Sequence, residues 1–349
     1  MSYKLSINCL KCSLLALCLL FLQPVFAQYN FHDLDQEWQS RQKLLGKDAV
    51  IMLANKDTII YKKEVGEFNS KTVAPIASCS KWLTAALVMQ FVDEGKLSLD
   101  DKIGKWLPEF DRYGKSYITV RLCLCHETGI KDEGSLLKKM FERKKYSSLE
   151  EEVNSFAAKD IRVNAGEDFW YGNIGLNIAG RILEIISKKK FDVLIKQKLF
   201  NPIGMRKTSF TTVDASAINP SGGAISSADD YMKFLMMLLN KGKTGGKQIL
   251  SEEAVETLKQ LQTKSMKIAY APKAAEGFGY ALGSWVVEEK DGKATALASP
   301  GLFGTWPMVD FCRGYAYIVF VKNLLGEERA DAHIGMKKVI DEQMPSSCH

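Results

Sequence analysis

Histidine is scarce in this 349-residue chain: His32, His126, His333 and His349 stand far apart. Cys123 and Cys125 sit two apart, but no second Cys/His pair lies at zinc spacing, so no metal site is expected. Eight cysteines are too few for a disulfide scaffold. Charge of one sign is not in large excess either. Lys and Arg number 47 against 41 Asp and Glu, and the formal +6 is spread thinly. That is not the basic footprint of a nucleic-acid binder. The sequence has no internal repeat and no long low-complexity run. It also lacks a G-x-S-x-G elbow, an H-E-x-x-H zinc motif and a G-x-x-x-x-G-K-[ST] phosphate loop. The glycines of Gly277–Gly283 are wrongly spaced for a dinucleotide turn. What remains is an ordinary globular mixture, 46% hydrophobic and 25% charged, long enough for one large domain or two ordinary ones.

The N-terminus reads as a secretory signal. Lys4 and Lys11 give a positive start, Leu14–Leu22 an apolar stretch, and Val25-Phe26-Ala27 a cleavage point after Ala27. The apolar stretch is far short of the roughly 20 residues that span a bilayer. A periplasmic or secreted protein with no integral span after cleavage is expected. Cleavage after Ala27 removes two lysines and no acid, taking the formal charge from +6 to +4. Five cysteines remain, Cys79, Cys123, Cys125, Cys312 and Cys348, so at least one is free or pairs between chains. Their pairing is open.

Residues 49–62 read as two strands joined at Asn55-Lys56-Asp57. Residues 79–93 read as a helix buried on most sides, since Leu83, Leu87 and Phe91 recur at i, i+4 and Ala85, Ala86 and Val88 widen the face. Helices are expected over 119–126, 147–158, 173–187, 191–199 and 228–240. Strands are expected over 278–289, 293–299, 304–310 and 314–322, before a helix over 328–343. Lys188–Lys190 and the stretch Lys138–Glu152 read as solvated charged faces. The fold class is therefore α+β. An antiparallel sheet is made from both ends of the chain, residues 28–100 plus 265–349, with terminal helices packed on it. A helical domain, 101–264, is inserted between them, with the active site at the interface.

Ser78-Cys79-Ser80-Lys81 is an S-x-x-K, one of four in the chain, the others starting at Ser40, Ser135 and Ser187. Ser78 differs by context, at the start of the apolar helix. Three residues is almost one turn, so Ser78 and Lys81 share a face. There the helix start favours developing negative charge. A serine nucleophile needs a base, which a lysine kept neutral can be. The plain alternative is an N-cap serine beside a surface lysine. Tyr171-Gly172-Asn173 is the only Tyr-x-Asn. A phenol near an ammonium ionises more easily and can relay a proton. An amide can both donate to and accept from a substrate. Here the plain alternative is a buried loop aromatic and an N-cap asparagine.

This ordered set, followed by a Gly-containing strand near the C-terminus, resembles the serine β-lactamase and penicillin-binding protein superfamily. The branch it looks most like is that of class C β-lactamases, D-alanyl-D-alanine carboxypeptidases and family VIII esterases. Ile118–Ile130, Asn164–Glu184, Leu199–Phe210, Ser221–Phe234 and Tyr280–Val286 are similar, in order, to family segments. The resemblance implies a β-lactamase/transpeptidase-like fold and an acyl-enzyme mechanism without metal or organic cofactor. Ser78 would attack a carbonyl, Lys81 would deprotonate it, Tyr171 would shuttle the proton and Asn173 would orient substrate. The family's Lys-Thr-Gly or His-x-Gly falls at Ser299-Pro300-Gly301. Gly301 would let a strand approach the substrate, and Leu302 would supply the second oxyanion N–H. Ser299 replaces the cation that reads a substrate carboxylate, unless Lys293 or Arg313 substitutes for it. Gly172 stands where the family often has Ser. Cys79 is read as a small packed residue, and His126 as a capping or packing one.

The function expected is an exported serine hydrolase acting on a small-molecule ester, amide or peptide. Esterase or D-amino-acid-type peptidase action is favoured over dedicated β-lactamase action. The alternative is a low-turnover binding or sensor protein that keeps the pocket.

Overall fold

The computed structural model describes residues 29–132, 145–212, 215–323 and 329–348. The expected signal segment and Ser135 lie outside the described residues. Seven strands form one sheet. They are β1 Ala49–Ala54, β2 Ile59–Val65, β3 Gly279–Tyr280, β4 Trp285–Lys290, β5 Lys293–Ala298, β6 Trp306–Asp310 and β7 Tyr315–Val321. Their order is β3-β4-β5-β6-β7-β1-β2, with antiparallel neighbours throughout. The α+β sheet made from both chain ends is what the sequence pattern predicts. Asn55 closes the β1–β2 turn, its side-chain oxygen accepting from the N–H groups of Asp57 and Thr58 at 2.9 and 2.8 Å.

Seven of the described helices frame the sheet and the site. They are α1 His32–Leu45, α2 Ser80–Asp93, α3 Val120–Leu124, α4 Leu149–Ala157, α5 Ile174–Ser187, α6 Ala228–Leu239 and α7 Arg329–Gln343. β7 is apolar in every residue because both sheet faces are covered. Ala316, Ile318 and Phe320 join the core with α2 and α6. Tyr315 and Tyr317 point the other way and donate to Asp341 and Met336 of α7. α1 packs on α7 through Gly335, where a Cβ would lie 2.4 Å from Glu37 Oε1. α1 is the N-terminal one of the expected terminal helices, and its buried Leu34, Trp38 and Leu45 fall on one helical face among polar residues.

α2 is more secluded than its periodicity implies: Ser80 through Phe91 are all buried. The strand expected over 278–289 is broken in two. Gly283 turns with φ +78°, and a Cβ there would come within 2.6 Å of Ala85 on α2. Helix packing therefore takes precedence over strand continuity. Cys312 and Cys348 form a disulfide, while Cys79, Cys123 and Cys125 are buried free thiols. That resolves the odd count. Lys188–Lys190 are exposed as expected, but Glu152, at the end of the other charge-rich stretch, is buried.

Candidate active site

Ser78 lies in a single 3-10 turn, Ala77–Cys79, that leads into α2. The turn is braced from several sides. The Ile76 N–H donates to the Ala224 carbonyl at 3.0 Å, the Ala224 N–H to Ser80 Oγ at 3.1 Å, and the Tyr231 hydroxyl to the Cys79 carbonyl at 2.7 Å. Ala77 is held at φ +44°, a left-handed conformation costing a β-carbon residue ~1–2 kcal/mol. Such strain next to a reactive group persists only when its surroundings hold it. Ser78 makes no capping bond, contrary to the plain N-cap reading, and its side chain is partly exposed. The Ser40 and Ser187 hydroxyls are engaged with their own helix carbonyls, of Glu37 and Glu184, at 2.8 and 3.5 Å.

Lys81 is 1% exposed, so the surface-lysine reading is wrong. Its Nζ reaches Ser78 Oγ at 3.2 Å, Asn173 Oδ1 at 3.2 Å and the Ser221 carbonyl at 2.9 Å. The last two oxygens can only accept, so they claim two N–H directions of the amine. The third faces the serine hydroxyl, the one partner of the three that can also donate. Ser221 was visible in the sequence only as the first residue of the family-like segment Ser221–Phe234. Its backbone carbonyl carries the contact, and backbone roles leave no mark on residue type.

The Tyr171 hydroxyl lies beside the Ser78 side chain, and its ring lies 4.8 Å from Lys81 Nζ. The expectation that the nearby ammonium eases its ionisation is not met. Burial pushes the phenol well above its ordinary range, and the Ser78 side chain only partly offsets this. The resting group is the neutral phenol. Asn173 opens α5 but makes no side-chain cap, so its oxygen is directed to Lys81 instead. Its Nδ2 has no partner among the described residues. Gly172 has a local cause: a Cβ there would sit 2.2 Å from Asp132 Oδ2, the atom that accepts the Asn173 N–H at 3.3 Å. A serine at 172 would require that carboxylate to move.

Ser299, Gly301 and Leu302 belong to the β5–β6 hairpin loop, not to a strand. The Gly301 N–H donates to the Thr305 carbonyl at 2.8 Å, which curls the chain. Gly301 packs on the nucleophile turn, where a Cβ would meet the Ile76 carbonyl at 2.3 Å and Cys79 Sγ at 3.0 Å. The Leu302 N–H has no protein acceptor among the described residues. Ser299 Oγ donates to the Ser78 carbonyl at 3.4 Å. Neither suggested substitute cation serves this place. Lys293 pairs with Glu256 at 3.6 Å, and Arg313 with Glu288, Asp310 and Asp341.

Two neighbours are structural. His126 packs against Tyr171 in a tilted arrangement with ring centroids 4.6 Å apart and hydrogen-bonds the Tyr280 hydroxyl at 3.0 Å. Burial first, and Lys81 second, hold its imidazole well below the ordinary range, so it is neutral packing behind the tyrosine. Burial likewise raises the Cys79 thiol, which is inert. Glu127 carries no signal in the sequence. It is buried, with Oε1 lacking a hydrogen-bond partner among the described residues, and burial pushes its carboxyl up to about 7. A raised carboxyl favours the protonated fold. Its contribution is full below the ordinary value of 4.5 and is lost as pH rises to about 7. Urea denaturation should show Glu127→Gln removing roughly 2–3 kcal/mol of that decline.

The family model described as Beta-lactamase matches residues 41–339. Protein Rv1367c of Mycobacterium tuberculosis (strain ATCC 25618 / H37Rv) is 25% identical over 321 residues, covering 74% of this chain and 80% of that protein. A solved structure from Bacteroides dorei DSM 17855, provisionally described as a beta-lactamase, is 27% identical with TM-score 0.79. The match covers 90% of this chain and 99% of that one. EstCE1, described as a hydrolase with promiscuous acyltransferase activity, shares the fold at TM-score 0.72 and 18% identity, with 88% and 96% covered.

Proposed function

This chain belongs to the Beta-lactamase family, and from that premise we propose that it is an exported serine hydrolase acting through an acyl-Ser78 intermediate. The carrying observation is the buried Lys81 Nζ within 3.2 Å of Ser78 Oγ, steadied by two acceptor-only oxygens. In the reactive state Lys81 is the neutral amine. It takes the hydroxyl proton as Ser78 Oγ bonds to the substrate carbonyl carbon. The oxyanion is held by the N–H groups of Ser78 and Leu302. Tyr171 hands a proton to the leaving oxygen or nitrogen as that bond breaks, and is reprotonated from Lys81. Water then adds to the acyl carbon by the same route in reverse. Transfer to an alcohol instead of water is the second fate of the acyl group, in line with the description of EstCE1. Asn173 Nδ2 donates to the substrate.

Ser299 directs the reading to neutral esters and amides, because no charge stands where the family reads a carboxylate. Export is supported by the Cys312–Cys348 disulfide, a bond that persists in oxidising compartments. No described helix is long and apolar enough to cross a membrane.

The test is a mass adduct on Ser78 with fluorophosphonate, short acyl nitrophenyl esters, a chromogenic cephalosporin and D-alanyl peptides, with Ser78→Ala alongside. Loss of every adduct in the variant is expected; no adduct on the wild-type protein with any probe ends the reading. Ser299→His should gain about tenfold or more in kcat/KM on substrates carrying a carboxylate, since a charge-assisted bond is worth ~1.5–3 kcal/mol. Ser299→Ala should discriminate little. Equal effects of Ser299→His on charged and neutral substrates would sink the idea that this position reads charge.

A further inference from the structure

Behind Lys81 runs a line of hydrogen bonds that the roles above do not use. The Ser221 carbonyl accepts from Lys81 Nζ at 2.9 Å. The Ser221 N–H donates to Asn177 Oδ1 at 3.0 Å, and Asn177 Nδ2 donates to Glu152 Oε2 at 3.2 Å. Ser221 and Asn177 are fully buried, and Glu152 is 2% exposed. Asn177 sits on α5 between the core residues Leu176 and Ile178. A buried amide there is costly unless both its ends are bonded, and both are. The same loop is gripped from the opposite side. Thr84, three residues beyond Lys81 on α2, donates to the Pro220 carbonyl at 2.7 Å. The carbonyl that takes one proton of Lys81 is thus held by α2 and α5 together.

We infer that Asn177 and Glu152 are positioning residues for Lys81. Asn177 fixes the Ser221 carbonyl that aims Nζ at Ser78, and Glu152 orients Asn177 and adds a negative charge to the same buried line. This rests on the reading of Lys81 as the base. A low-dielectric interior strengthens each member of such a line. Among the described residues, Cys79, His126 and Tyr171 are titratable groups that face Lys81, and burial keeps these three uncharged. On the Glu152 side, Arg181 lies one turn beyond Asn177 and pairs with Glu150 and Glu184.

The test measures the acylation rate of Ser78 against pH, by nitrophenol burst and mass adduct, on folded protein checked by circular dichroism. Glu152→Gln keeps an acceptor for Asn177 but removes the charge. Its acidic limb should move to lower pH by about one unit, because loss of a nearby anion disfavours the ammonium. Asn177→Asp keeps the acceptor for Ser221 but sets two carboxylates face to face, and should lose about a hundredfold near neutral pH. In the double variant, Glu152→Gln with Asn177→Asp, the new amide can donate to the new carboxylate. It should recover about tenfold or more, with a limb no lower than that of the wild type. A merely structural pair would lower melting temperatures without moving the limb. The inference is overturned if Glu152→Gln leaves the limb in place and the double variant is no better than Asn177→Asp. Should Asn177→Asp not fold, the limb of Glu152→Gln decides alone. A wild-type protein that never labels at Ser78 refutes the nucleophile; one that labels, with unmoved limbs in the variants, refutes only the positioning pair.

Discussion

Lys81→Met should slow acylation of Ser78 by about two to four orders of magnitude, the usual contribution of a positioned base. Methionine fills most of the volume, so the loss is chemical rather than a cavity. The variant also strands two acceptors, Asn173 Oδ1 and the fully buried Ser221 carbonyl. Each stranded group costs ~1–3 kcal/mol, partly offset because a buried amine no longer needs partners. Lys81→Arg separates these effects. A guanidinium can still donate to both oxygens but does not give up its proton, so it should be as slow as methionine while retaining more stability. Burst kinetics with a nitrophenyl ester, read beside thermal melts, make the comparison. Acylation of Lys81→Met within tenfold of the wild type would remove Lys81 from the mechanism.

Gly301→Ala should be nearly as damaging, for a different reason. The added carbon would lie 2.3 Å from the Ile76 carbonyl, a backbone atom in the segment that enters the nucleophile turn. Backbone cannot swing aside as a flexible side chain does. The hairpin loop must retreat, and the Leu302 N–H retreats with it. A displacement of ~1 Å at a reacting centre costs about a hundredfold. Overpacking adds ~1–3 kcal/mol of destabilisation. Because the oxyanion forms in the transition state, kcat should fall more than KM rises. Wild-type kcat in a folded Gly301→Ala would show that the loop does not serve the oxyanion.

Much of the fold was legible because the signals are local. The apolar run of β7 and the i, i+4 pattern of α2 reflect burial that each segment meets wherever it packs. The N-terminal helix was expected too, and Leu34, Trp38 and Leu45 of α1 fall on one helical face. The break at Gly283 was not legible, because its cause is Ala85, almost two hundred residues away in the chain. In the site, Ser78, Lys81, Tyr171 and Asn173 were legible by residue type and order. Asp132, Ser221, Asn177 and Glu152 were not. Ser221 acts through backbone, and Glu152 sits in a charged stretch that reads as solvated. Asn177 had one available signal, an amide set between Leu176 and Ile178 in a largely apolar helix.

The sequence by itself determined the chemical inventory: one serine, one lysine, one phenol and one amide in family order, and a serine where a cation is usual. Only the tertiary structure decided their states. It directs Asn173 to Lys81 instead of a helix cap, keeps Tyr171 a neutral phenol, commits Lys293 and Arg313 to other carboxylates, and sets the Asp132 carboxylate against Gly172. The physical reason is common to all four. Orientation, burial and charge pairing are set by neighbours distant in the chain, and a residue's type does not specify its neighbours.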